Sequence, residues 1–206
     1  MFITGGRAGQ VMFFSMLVIF IFQFFDNSRI KPLFLAILII PVTFFLAYQS
    51  SDLFKLRVNQ TITNINNYSI NQTSSIGQRI TFAVNSWEMI QENPLIGVGT
   101  GDFPDEYEKI NLVNSKHVNA TSNPHNMYIL VSAQLGLIGL LSLLSIFYYQ
   151  IKFALNSNSK LVRDIGLTLP LLFLIIMWSD SYLLGHYTSL MFVFFSSFLY
   201  KDFEKI

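Results

Sequence analysis

What most constrains this chain is the recurrence of long stretches without a charge. None appears between Arg7 and Asp26, between Lys31 and Asp52, or from Asn126 to Ile151. A helix needs about 20 predominantly apolar residues to cross the hydrocarbon core of a bilayer, and each stretch approaches or passes that length. A soluble domain can bury many aromatic rings, but it has no need of uninterrupted apolar runs. Charged residues make up 12% of the 206, against about 25% in ordinary soluble domains. The expectation is an all-α integral membrane protein.

The stretch 165–200 is interrupted only by Asp180 and His186. As one helix it would reach ~54 Å at ~1.5 Å per residue, far beyond the ~30 Å hydrocarbon core. Two helices turning near Ser179-Asp180-Ser181 fit better. Five spans are therefore predicted, at 8–25, 32–49, 126–151, 165–179 and 183–200, within a single membrane domain over 1–206. Arg29 and Lys31, then Lys152, Lys160 and Arg163, then Lys201 and Lys205 all fall on one side of five crossings. The positive-inside rule makes that side cytoplasmic, which leaves the long loop 50–124 outside. The N-terminus comes out external with no targeting segment before it, as expected of a chain whose upstream helices are missing.

Cysteine is absent, which excludes disulfides, thiol nucleophiles and Cys-ligated zinc. A formal net charge of +1 gives no case for nucleic acid as a partner.

Within the loop, 51–74 is rich in Asn, Ser, Thr and Gln and reads as a solvated connector. Ser75-Ile76-Gly77-Gln78 resembles a capping box. Ile80, Ala83, Val84, Trp87 and Ile90 then repeat at helical spacing until Pro94. Arg79 stands at the border of that apolar face. Gly97-Val98-Gly99-Thr100-Gly101 lacks the βαβ surroundings of a nucleotide loop, and a tight turn with close backbone packing is the better reading. Asp105, Glu106 and Glu108 read as a solvated face, and His117 as a solvated loop residue. Asn123 suits an N-cap and Pro124 the first helical position, which puts His125 in the first turn. Free N–H groups there would seat a phosphate, and an imidazole with a pKa near ~6.5 suits proton transfer. Asp180 and His186 read most simply as parts of a turn, although ionisable groups within apolar segments are functional candidates.

Taken in order, these residues resemble the O-antigen ligase and polymerase superfamily. The resemblance rests on Arg79, Trp87, Asn93-Pro94-Leu95-Ile96-Gly97-Val98-Gly99, Pro124-His125-Asn126-Met127-Tyr128 and Gln134-Leu135-Gly136-Leu137-Ile138-Gly139. Thr4-Gly5-Gly6-Arg7-Ala8-Gly9 is similar to the family's SRG helix start, with Gly6 for Ser and Ala8 for Gly. Gln134 replaces the acid of the family's ExGxxG motif. The resemblance covers nearly all of this chain but only the C-terminal half of a typical member.

It implies a GT-C-like, metal-independent glycosyltransferase with no cofactor, in the bacterial inner membrane with its active side periplasmic. A glycan on undecaprenyl pyrophosphate would move to a hydroxyl of lipid A–core. Arg7 and Arg79 would bind the pyrophosphate and His125 would assist the acceptor hydroxyl. The shared motifs handle the donor, so a polysaccharide polymerase and a protein O-oligosaccharyltransferase stay open. From a different class, so does a non-catalytic truncated remnant. With half of the expected groove missing, the 206-residue chain alone is expected to insert without catalysing.

Overall fold

The computed structural model describes residues 7–25 and 30–200. Among them it has eight α-helices: α1 (Arg7–Phe24), α2 (Ile30–Ser50), α3 (Asp52–Asn66), α4 (Ser75–Glu92), α5 (Phe103–Asn114), α6 (Met127–Leu155), α7 (Lys160–Ile176) and α8 (His186–Leu199). Arg29, Lys201 and Lys205, used above for orientation, lie outside the described residues. So do Thr4, Gly5 and Gly6 of the first motif. The chain divides into two compact units, Met1–Thr63 and Asn64–Ile206.

In the first unit α1 packs on α2, with the rings of Phe14 and Phe44 6.0 Å apart. α2 and, in the second unit, α6 are long and apolar enough to cross a membrane; Ala8–Phe24 and His186–Leu199 are shorter apolar helices. Leu33, Phe34, Ile37, Leu38, Phe45 and Leu46 of α2 are all exposed. A helix that is apolar all round, with most of its side chains uncovered by protein, fits a lipid solvent better than water.

The stretch read as a solvated connector is helical as far as Asn66. Ser51 starts α3 by accepting a hydrogen bond from the Phe54 N–H at 3.2 Å. Phe54, Val58, Thr61 and Ile62 follow at helical spacing. Phe54 is buried, edge-on to Phe44 at 5.2 Å. Thr61 on this face and the Asn59 and Gln60 before it hid the period.

In the second unit the cap of α4 is Ser74, whose Oγ accepts from the Gly77 N–H at 3.1 Å. The predicted box is therefore one residue out of register. Gly77 occupies the position from which a Glu or Gln would reach back, so the reciprocal half of the box is absent. α5 lies in a part of the loop for which the sequence predicts no helix. It buries Phe103, Tyr107 and Asn111 and leaves Asp105 and Glu108 exposed. α4 and α5 are joined by a buried polar network. Asn85 Nδ2 donates to Tyr107 Oη (3.2 Å), Asn111 Oδ1 (3.3 Å) and Ser115 Oγ (2.8 Å). Burial pushes the Tyr107 phenol up to about 12, against the lowering effect of its bond to Asn85, so this phenol stays neutral and structural. Phe82, Met89, Leu130 and Ala133 complete the core where α4 crosses α6. A second cluster, centred on Phe147, Phe173, Met177 and Phe192, holds α6, α7 and α8 together.

Candidate functional site

The scaffold of the site is a break in α6. Gly136 takes φ 62, ψ −159, a region open essentially to glycine. In an unbroken helix the N–H groups of Leu137 and Ile138 would bond the carbonyls of Ala133 and Gln134. Here they bond Pro94 O (2.8 Å) and Leu95 O (3.3 Å), while the released carbonyls accept from Val98 N and Gly99 N, both at 2.9 Å. Two helical rungs are thus exchanged for four bonds to the loop that follows α4. A Cβ on Gly97 would overlap the backbone of Gln134, and one on Gly136 the carbonyl of Leu95. Gln134 adds a bond from Nε2 to Thr100 O at 3.1 Å. The glycine string is a backbone clasp. The close packing expected of it is present, and its partner is the second glycine motif.

The clasp fixes α4 against α6, and Arg79 and His125 depend on those two helices. His125 is not in the first turn of α6. The N-cap is Asn126, whose Oδ1 accepts from Tyr128 N and Ile129 N at 3.0 and 3.1 Å. Met127 N bonds Met177 O and Leu130 N bonds Asn126 O, each at 3.0 Å. All four leading N–H groups are therefore satisfied, so the phosphate seat expected at this terminus has no donors to offer. His125 lies just before the cap with φ 54, a left-handed conformation that costs on the order of 1–3 kcal/mol in a residue with a side chain. It is held by a bond from its N–H to Asn123 Oδ1 (2.9 Å). Ser181 Oγ donates to that same Oδ1 at 2.7 Å, tying the segment to the turn before α8.

That turn supplies the residue the sequence left as a turn element. Asp180 Oδ1 lies 3.0 Å from His125 Nδ1, and its Oδ2 lies 3.9 Å from Arg79 Nη2. Arg79 Nη1 donates to Ser179 O at 2.8 Å, so the guanidinium is braced on the same turn. Phe82 stacks on the imidazole with ring centroids 6.2 Å apart. An ionised carboxylate only accepts hydrogen bonds. It therefore holds the proton of a neutral His125 on Nδ1 and leaves Nε2 as a proton acceptor. The signal for Asp180 was present: it is the only acid between Asp164 and Asp202, inside an otherwise apolar stretch.

Two open cavities are lined by members of this cluster. A polar cleft of about 520 Å³ is lined by His125, Asp180, Ser181, His186 and Tyr187 among others. An apolar groove of about 500 Å³ runs along α4 past Arg79, Ile80, Val84 and Trp87 to Ile129. Arg79 thus stands at the head of an apolar channel, with a half-exposed imidazole one carboxylate away. Arg7, the other predicted pyrophosphate ligand, opens α1 in the first unit, and its side chain lies outside the described residues. His117 is exposed and its Nε2 pairs with Gln72 Oε1 at 2.7 Å, away from the cluster. Among the described residues no group of three or more His, Cys, Asp or Glu could hold a metal ion.

Residues 1–144 match the family model of the O-antigen ligases. No curated protein matches the chain.

Proposed function

Because the chain belongs to the O-antigen ligase family of membrane proteins, we propose that it serves glycosyl transfer of the ligase type, moving a glycan from undecaprenyl pyrophosphate to a hydroxyl of lipid A–core. The observation that carries the reading is the bond between His125 Nδ1 and Asp180 beside the braced guanidinium of Arg79. In this scheme the acceptor hydroxyl enters by the polar cleft and gives its proton to His125 Nε2 as its oxygen forms a bond to the anomeric carbon. The bond from that carbon to the pyrophosphate oxygen breaks, and the leaving group takes the electron pair. Arg79 meets the charge that develops there. The isoprenoid chain of the donor lies in the apolar groove of α4. Arg7 is the second pyrophosphate ligand on the ground of its motif alone. The segments α1, α2, α6, α7 and α8 serve as five spans of the bacterial inner membrane, with the cluster on the periplasmic side. The acceptor distinguishes a ligase from a polymerase, and the donor-handling groups serve either.

The test is complementation of a ligase-null strain by the full-length protein carrying His125→Ala. The expected result is loss of glycan on lipopolysaccharide gels at unchanged protein level. Attachment near the wild-type level would remove His125 from the reaction.

A further inference from the structure

The first unit contains a cavity that the reading above does not use. It measures about 530 Å³ and is walled by Val11, Phe14, Phe44, Phe54, Val58 and Ile62, with Gln10 and Arg57 reaching it from α1 and α3. Gln10 is 7% exposed. Its Nε2 is buried without an acceptor, and so is Nε of Arg57. Burying a donor unpaired is costly, and more so for a charged one. Two such groups opening on one cavity mark a missing acceptor. Among the described residues no carboxylate lines the cavity. The hydroxyls of Ser15 and Thr61, which line it, give their hydrogens to the carbonyls of Val11 and Arg57. The guanidinium is pre-oriented by a bond from Nη1 to Gln60 Oε1 at 3.1 Å.

We propose that this cavity binds an anionic phospholipid of the surrounding bilayer, with its phosphate on Arg57 Nε and Gln10 Nε2 and one acyl chain against Phe14, Phe44 and Phe54. The chemistry selects this class. A guanidinium edge and one amide N–H match the two oxygens and single charge of a phosphodiester. The apolar walls suit hydrocarbon, which a water molecule satisfying the same donors would not explain. On α3 Phe54 is buried, while Leu56, Ile62 and Ile65 are exposed beside Lys55, Asn59 and Gln60, which suits a helix lying at the boundary of headgroups and acyl chains. Among the described residues one arginine and one amide face the cavity, which matches the single charge of a phosphodiester better than the diphosphate of the lipid-linked donor.

The test uses the purified chain in nanodiscs of phosphatidylcholine alone, or doped with phosphatidylglycerol or with undecaprenyl phosphate. Thermal stability and the lipid retained on native mass spectrometry are read together. Phosphatidylglycerol is expected to raise the melting temperature and to stay bound in preference to phosphatidylcholine. Arg57→Gln is expected to weaken that retention by roughly tenfold or more, the scale of one charge-assisted bond. Val58→Phe, which narrows the cavity and keeps both donors, is expected to reduce retention as well. The wild-type comparison between lipids stands even if a variant fails to fold. Equal retention of the two phospholipids, retention of no lipid at all, full retention by Arg57→Gln, or displacement of phosphatidylglycerol by undecaprenyl phosphate would each overturn the assignment.

Discussion

Replacing Gly136 by alanine tests the clasp between the two glycine motifs. The residue holds φ 62, ψ −159, and a side chain there costs on the order of 1–3 kcal/mol in backbone strain alone. The new Cβ would also overlap the Leu95 carbonyl. That is backbone and cannot rotate aside, so the loop must withdraw. Withdrawal breaks the bonds of Leu137 and Ile138 to Pro94 and Leu95, and strains those of Val98 and Gly99 to Ala133 and Gln134. At a net ~0.5–1.5 kcal/mol for each lost bond, losing two adds about 1–3 kcal/mol. The sum is roughly 2–6 kcal/mol. At about 2–4 °C per kcal/mol for a chain of this size, the melting temperature should fall by on the order of 10 °C. Thermal unfolding in one detergent, followed by tryptophan fluorescence, measures it. Gly101→Ala is the internal control, because nothing lies within 4 Å of a Cβ there, and its melting temperature should match the wild type. A Gly136→Ala protein that melts with the wild type would refute both the clasp and the strain assigned to Gly136.

Asp180→Asn should lower the turnover of full-length protein by about 10–100-fold, the scale of one charge-assisted bond, because the amide can donate to Nδ1 and stabilise the wrong tautomer. In vitro transfer assays with protein level matched would sink the pairing argument if turnover were unchanged. Arg79→Lys should be nearly as damaging as Arg79→Ala, since an ammonium cannot reproduce the planar fork. Full activity of the Lys variant in complementation would show that charge alone matters. Asn85→Leu should destabilise by roughly 1–3 kcal/mol, through the buried partners Tyr107, Asn111 and Ser115 that lose their donor. Denaturant midpoints equal to wild type would count against a structural role for that network. For topology, cysteines placed at Asp105 and at Ser157 should react with an impermeant thiol reagent from the outside and from the inside of spheroplasts, respectively. The reverse pattern would invert the proposed orientation.

Apolar run length, fraction of charge and the order of the motifs determined the all-helical class and the family, because those quantities are summed along the chain and need no partner. The same local reading singled out Arg79 and His125 and found the amphipathic period of α4. It missed α3, whose apolar positions are correctly spaced but diluted by Asn, Thr and Gln, and it put the N-cap of α6 at Asn123, three residues early. The cap there was decided by which asparagine could bond Tyr128 and Ile129 while also reaching Trp178 O, a choice between Asn123 and Asn126 that only the packing of α6 on the turn after α7 makes. Nor does anything near Asp180 in sequence reveal that its carboxylate meets His125, 55 positions away. Periodicity and capping are properties of neighbours within a turn or two. Tertiary contact alone decided which carbonyls leave the α6 ladder for the loop at Pro94–Gly99, and which single acid stands between an arginine and a histidine on two other segments.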